Sequence, residues 1–385
     1  MSRFAGRAGP IRLGMVGGGK DAFIGAVHRI AARMDGEFEL VAGALSSTPE
    51  RARESGAALG LAPDRVYDDF EAMATCEARL EDGIEAVAIV TPNHLHFAPA
   101  RAFLRRGIHV ICDKPMTATG AEAGKLAAEA DSADALFVLT HNYSGYPMIR
   151  EARAMVADGF LGRLRGVQVE YVQDWLATAV EETGSKQAEW RTDPARSGAG
   201  GALGDIGTHA FQLAAFVSGE APSEVSAELA SFVPGRRLDD DARALLRYAS
   251  GARGALWCSQ VAPGNENRLT LRLYGEAGGL EWSQETPERL TATRLGEAPR
   301  LMTRATAGAA GTRLQRIPPG HPEGYLEAFA NLYVEAAAAI RAAREGAAPP
   351  AGTLFPDVAD GLAGVRFVEA CVASAAQGGR WTALS

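Results

Sequence analysis

At 385 residues, with 47% hydrophobic and 22% charged side chains, the chain is too long for one ordinary core and predicts about two compact domains. A formal net charge of -8, with only short basic runs such as Arg105 and Arg106 or Arg236 and Arg237, excludes the electrostatic footprint of a nucleic-acid binder. Its four cysteines lack paired spacing, which argues against a zinc site or disulfide framework. The opening "MSRFAGRAGP" has no apolar signal region and no later stretch suits a bilayer span, so a cytoplasmic protein without a membrane partner is expected.

The apolar run "IRLGMVGGG" reads as a strand ending in three glycines, and "AFIGAVHRIAARM" carries apolar residues at helical spacing. "FELVAGALSS" is a second buried strand. In "TPERARESGAALG" Thr48 is placed to cap a helix, Pro49 sits at its first position and Gly60 lies past its end. There follow a strand in "EAVAIVTP", a helix in "FAPARAFLRRG", a strand in "HVICDKP", a helix in "GAEAGKLAAEADSA" and a strand in "LFVLTHN". Strands apolar on both faces, alternating with helices, predict a parallel sheet covered on both sides: an α/β, doubly wound Rossmann domain over residues 1–142.

After "YPMIREARAMVADGFLG" the pattern changes. "LRGVQVEYVQDW", "SEVSAELASFV", "DARALLRYA", "GARGALWCSQV" and "NRLTLRLYGEAGGLEW" alternate polar and apolar residues, predicting an α+β second domain over residues 143–385 with a large, mainly antiparallel open sheet. Alanine-rich helices are expected at Tyr325–Arg344 and 357–373, packing back on the first domain, and a loop at 296–312. The sheet's open face needs cover, so a homodimer or homotetramer through it is expected.

In "VGGGKDAFIG" Gly17 and Gly19 stand as the first two glycines of a dinucleotide fingerprint, Ala22 holds the third position and Gly25 comes three residues late. Such a turn also serves simple strand-to-helix reversals; its place after the first strand of a parallel run points to a dinucleotide. Backbone approach to a pyrophosphate and the helix N-terminus make Gly17, Gly19, Ala22, Phe23 and Ile24 the expected contacts. After the second strand, where an acid would bind the ribose of NAD and repel NADP, stand Ser46 and Ser47 with Arg51 nearby, so the cofactor is NAD or NADP.

Three further segments, "TPNHLHFAPA", "CDKP" and "WRTDPARSGAGGALGDIGTH", complete a pattern that resembles the Gfo/Idh/MocA oxidoreductases over nearly the whole chain. The resemblance implies an NAD(P)-dependent enzyme oxidising a secondary ring hydroxyl of a cyclic polyol, sugar or glycoside. It places Thr91, Pro92, Asn93, His94 and His96 along the cofactor, with Asn142 on the same side. Lys114 matches the lysine that touches nicotinamide ribose and substrate, beside Asp113 where glutamate is more usual. Asp205 and His209 match the pair used at the substrate. The inserted "DAFI" before Gly25 departs from the family pattern.

Alcohol oxidation needs a base, and a histidine with an ordinary pKa of about 6.5 accepts a proton at neutral pH, which suits His209. Asp205 four residues earlier shares its helical face and could bind a second hydroxyl or orient the ring, while the neighbouring glycines would let a sugar approach the backbone. Lys114 would donate to the reacting oxygen. The same residues fit plainer roles: an aspartate as helix cap, a histidine as a core residue. Tyr171, Trp175, Trp190 and Arg191 read as sugar contacts or interface anchors, and His321 as a cap or substrate contact. No third ligand accompanies His94 and His96, so no metal is expected. Two other functions fit the motifs: a sugar oxidoreductase or glycoside-cleaving enzyme that recycles a tightly bound cofactor, and a non-catalytic nucleotide sensor.

Overall fold

The computed structural model describes residues 9–20 and 22–384; Asp21, within the inserted "DAFI", lies outside them. The chain divides into two compact units, one formed by the chain up to Thr117 together with Ala121–Gly145 and Leu326–Leu362. Along this unit run β1 (Ile11–Gly17), α1 (Phe23–Met34), β2 (Phe38–Ala44), α2 (Pro49–Ala58), α3 (Phe70–Glu77), β3 (Ala86–Val90), α4 (Phe97–Leu104), β4 (His109–Cys112), α5 (Gly120–Ser132) and β5 (Phe137–Leu139). The five strands are parallel in the order β2-β1-β3-β4-β5. All of β3 and β4 is buried, which is why these segments carry no polar alternation. The strand order reverses between β1 and β3, the place where doubly wound sheets bind ligands beyond the strand ends.

Two local expectations change. Thr48 precedes α2, but its side chain caps nothing; its own N–H donates to Ser46 Oγ at 3.2 Å. Pro49 opens α2, and Gly60 follows it at φ +74°, as the turn chemistry requires. The helix α3 was not anticipated, although Asp69 caps it by accepting from Ala72 N at 2.7 Å.

The second unit contains α6 (Pro147–Ala157), β6 (Leu164–Val172), the short α7 (Lys186–Arg191) and α8 (Pro194–Ser197), a π turn over Leu203–Gly207 and α9 (Thr208–Ser218). Next come β7 (Glu224–Ala230), β8 (Asp241–Arg247), β9 (Arg253–Ser259), β10 (Arg268–Gly275), β11 (Gly278–Ser283), β12 (Arg289–Arg294), β13 (Arg300–Thr303) and α10 (Ala309–Thr312). With β14 (Thr382–Ala383), nine strands form one sheet in the order β13-β12-β11-β10-β6-β9-β8-β7-β14. It is antiparallel except between β6 and β9, which run parallel. Residues 296–312, expected as a loop, instead hold β13, a 3₁₀ turn over Arg304–Thr306 and α10. The edge strand β13 is half solvated and held by its register with β12, so it leaves little trace in hydrophobic pattern.

The two long closing helices are α11 (Tyr325–Arg344) and α12 (Val358–Ala376). Within the first unit Tyr333 Oη lies 2.8 Å from His28 Nδ1, Asn331 Nδ2 donates to Gly145 O at 2.8 Å, and Arg344 pairs with Glu85. From Ala363 onward α12 belongs to the second unit, where Phe367 stacks on Phe211 of α9 with centroids 4.4 Å apart. Among the described residues no helix is long and apolar enough to cross a membrane.

Candidate active site

The cofactor half lies in the first unit. Gly17 and Gly18 take φ values of +78° and +68° at the end of β1, a conformation that side chains rarely tolerate. A Cβ on Gly25 would stand 2.4 Å from Gly18 Cα and 2.6 Å from Gly18 O. Close packing of α1 on the turn therefore needs Gly25, and the third-glycine role assigned to Ala22 passes to it. Ala22 is instead the residue before α1, its N–H donating to Gly19 O at 3.1 Å. Among the described residues the first turn of α1 has no acidic residue and no side-chain cap, an arrangement that suits a bound anion. Phe23 at its start is exposed, and Ile24 is half-buried.

Gly19 packs closely on the loop after β2, where an added Cβ would fall 2.7 Å from Leu45 O. Beyond it Ser46 is half-buried with its hydroxyl engaged by Thr48 N, while Ser47 and Arg51 are exposed.

In the loop after β3, Thr91 Oγ1 donates to Leu95 O at 3.1 Å, Asn93 is buried, and Pro92 and His94 are half-buried. His96 is fully enclosed, with Nδ1 2.7 Å from Pro115 O and Nε2 2.8 Å from Thr91 O. It therefore links this loop to the one after β4, with both ring nitrogens lying against backbone carbonyl oxygens. The Lys114–Pro115 peptide is cis. Asp113 Oδ1 accepts from Lys114 N at 2.8 Å and from Thr140 Oγ1 at 3.2 Å, so this acid serves the turn that presents Lys114. Asn142 is buried and, among the described residues, its Nδ2 has no hydrogen-bond partner, an unmet donor of the kind a bound cofactor would satisfy.

Three histidines in this unit are fully buried. Burial lowers the pKa of His28 to about 4, with Asp113 opposing, and that of His141 to about 3, with the Lys114 charge adding; His96 is also lowered by burial. Below pH ~6.5 the unfolded chain takes up protons that the folded chain refuses, so each such histidine removes up to about 1.4 kcal/mol of stability per pH unit until its folded pKa is reached. The melting temperature is expected to fall steeply from pH 6.5 toward 4. Thermal melts of His141→Gln and His28→Gln should show a shallower slope over that window, whatever the cost of the substitution at pH 7.

The substrate half lies in the second unit. Asp205 stands in the π turn and His209 in the first turn of α9, both buried. Asp205 Oδ2 accepts from Arg191 Nε at 3.1 Å and from Gln260 Nε2 at 2.9 Å. The Arg191 guanidinium lies over the Trp190 ring, 4.2 Å from its centroid, and 5.9 Å from that of Trp175. Trp175 Nε1 donates to Gln173 Oε1 at 3.0 Å, and Gln173 Nε2 donates to Asn267 Oδ1 at 2.6 Å. Tyr171 Oη donates to the same Asn267 oxygen at 2.8 Å, and its ring is tilted against His209 with centroids 6.2 Å apart.

One polar and aromatic cluster thus gathers Tyr171, Trp175, Trp190, Arg191, Asp205 and His209. His321 stays outside it, exposed in a turn whose carbonyl accepts from Arg304, and α11 begins only at Tyr325. The amides Gln173, Gln260 and Asn267 were missed because amides carry no spacing signature. Gln173 and Gln260 become neighbours only through the parallel register Val172↔Ser259 at the ends of β6 and β9.

The glycines flanking Asp205 also fit the turn closely to its neighbours. A Cβ on Gly201 would lie 2.1 Å from Asp239 O, and one on Gly207 2.9 Å from Cys258 Sγ. They let the turn pack against the lead-in to β8 and against β9. Gly204 alone among these three has open space where a Cβ would go.

Residues 11–142 match the oxidoreductase family with an NAD-binding Rossmann fold, and residues 149–281 match the GFO/IDH/MocA C-terminal domain. A crystal structure of an oxidoreductase from Sinorhizobium meliloti is 56% identical, covering 97% of this chain and 99% of that one with a TM-score of 0.89. An inositol dehydrogenase homolog from Azotobacter vinelandii, solved with NADH and myo-inositol, is 38% identical over 98% of both chains with a TM-score of 0.90. Levoglucosan dehydrogenase of Pseudarthrobacter phenanthrenivorans is 28% identical over 76% of this chain and 78% of its own. With a glycine turn built for a dinucleotide and matches across both halves, the chain belongs to the Gfo/Idh/MocA family and is an NAD-binding oxidoreductase.

Proposed function

We propose that the protein is a dehydrogenase that oxidises a secondary ring hydroxyl of a cyclic polyol, sugar or glycoside. The observation that carries this reading is the partly buried cluster around Asp205, in which carboxylate, guanidinium and amides lie beside the faces of Trp190 and Trp175. Alternating donors and acceptors with an aromatic wall suit a polyhydroxylated ring. Myo-inositol in the Azotobacter complex and the levoglucosan named for the Pseudarthrobacter enzyme are both of that class.

NAD or NADP, held by the β1–α1 turn, supplies the hydride acceptor. His209 takes the hydroxyl proton as the carbon loses hydride, so the alcohol gives up two electrons and two hydrogens in all. Asp205, oriented by Arg191 and Gln260, accepts a hydroxyl hydrogen of the substrate. The Lys114 ammonium donates to the reacting oxygen and stabilises its developing negative charge. The test is reduced-nicotinamide formation at 340 nm with NAD and NADP in parallel, across inositol isomers, free sugars and methyl glycosides. A signal in one stereochemical series is expected. Silence throughout, in protein that binds dinucleotide, would overturn the reading, and nucleotide released on denaturation would then indicate internal recycling.

The same reading includes a homodimer or homotetramer built through the outer face of the large sheet. Arg243 and Trp257 face each other across β8 and β9, next to the half-exposed Leu245, and line hollows of about 700 and 830 Å³. Light scattering should report an oligomer, and Leu245→Arg should shift it toward smaller species; a wild-type monomer would refute the assembly.

A further inference from the structure

We propose that Asp239 is a positioning residue for the reaction: from the lead-in to β8 its carboxylate caps the π turn that carries Asp205 and runs into α9, where His209 stands, and so sets where those side chains stand. The inference rests on the reading of Asp205 and His209 as the groups that handle the substrate.

The opening N–H groups of a helix have no partner within it and need an acceptor from elsewhere. The stretch "GAGGALGD" has no side chain before Asp205 that could supply one, and Ala202, which precedes the π turn, gives no side-chain cap. Asp239 fills the gap three times. Its Oδ1 accepts from Gly201 N at 2.7 Å, its Oδ2 from Leu203 N at 2.8 Å, and its carbonyl from Ala202 N at 2.8 Å. Asp205 N in turn donates to Gly201 O at 2.9 Å, so the register of the turn passes directly to the acid in the cluster. Gly201 has no room for a side chain against Asp239, which shows how closely the two segments are fitted.

The triple acid in "LDDDAR" divides its work. All three aspartates are buried. Asp240 accepts from Phe232 N, Val233 N and Arg236, and Asp241 from Trp257 Nε1 and Arg243, so only Asp239 faces the turn. Burial pushes its carboxyl up to about 6, opposed by the N–H bonds from Leu203 and Gly201.

Asp239→Asn keeps the shape but sets an NH₂ against one of the two N–H donors. Because small misplacements of reacting groups are costly, kcat should fall on the order of 10-fold or more, with the dissociation constant of NAD within twofold of wild type. Asp240→Asn is the control: it disturbs an equally buried acid of the same segment and should leave kcat of the folded protein unchanged. Hydrogen exchange over residues 199–207 should quicken in D239N and not in D240N. If D239N does not accumulate as folded protein, Asp239→Ser, a small neutral acceptor, should show the same loss. A kcat within twofold of wild type, or an equal fall in D239N and D240N, overturns the proposal. Asp205→Asn separates the two readings: unchanged activity there would sink the site assignment itself, whereas a large loss there with none in D239N would sink only the positioning role.

Discussion

Lys114→Met is expected to lower kcat by roughly 10²- to 10³-fold, the scale seen when one donor to a developing oxyanion is removed. Methionine keeps the length and most of the packing of the lysine stem and deletes the charge and its three donors. The turn should survive, because it is held by the Lys114 backbone N–H on Asp113 and by His96 on the Pro115 carbonyl, neither of which involves the ammonium. Titration with NAD, followed by fluorescence or calorimetry, should therefore give a dissociation constant within a few-fold of wild type. A variant that turns over at nearly the wild-type rate would remove Lys114 from the chemistry. Parallel loss of NAD binding would reassign it to holding the cofactor.

Gly25→Ala is expected to weaken NAD binding at least tenfold and to cost about 1–3 kcal/mol of stability, the usual penalty for forcing atoms into a packed site. The new methyl would meet backbone atoms of Gly18, which cannot turn away as a flexible side chain could. Relief requires moving α1 off the turn, and with it the N–H groups that would face a pyrophosphate. Ala22→Gly is the informative partner, since the fingerprint taken at face value makes residue 22 the one that matters. The geometry at Gly25 leads to the opposite result, with NAD affinity nearly unchanged in Ala22→Gly. A strong gain or loss in that variant, with Gly25→Ala silent, would return the role to residue 22.

The parallel sheet of the first unit was legible because buried strands must be apolar on both faces and the helices between them amphipathic, and that constraint is written locally. The glycine turn was legible for a related reason, since the positive φ of Gly17 admits few residue types; Lys114, Asp205 and His209 stood out as candidates because proton handling also admits few. The same locality explains the failures. An edge strand such as β13 pairs mainly through its backbone, so its sequence resembles a loop. Ala22 fits a spacing rule, yet which residue touches Gly18 depends on how far the inserted turn swings before α1 begins.

What the sequence by itself determined was the class of each half and a short set of candidate residues for hydride chemistry. The tertiary structure alone decided which groups surround them. The parallel register of β6 and β9 brings Gln173 beside Gln260, and the lead-in to β8 delivers Asp239 to a turn some 36 to 38 residues earlier in the chain. Hydrogen bonds of that kind depend on where distant backbone segments meet, and no periodicity along the chain records it.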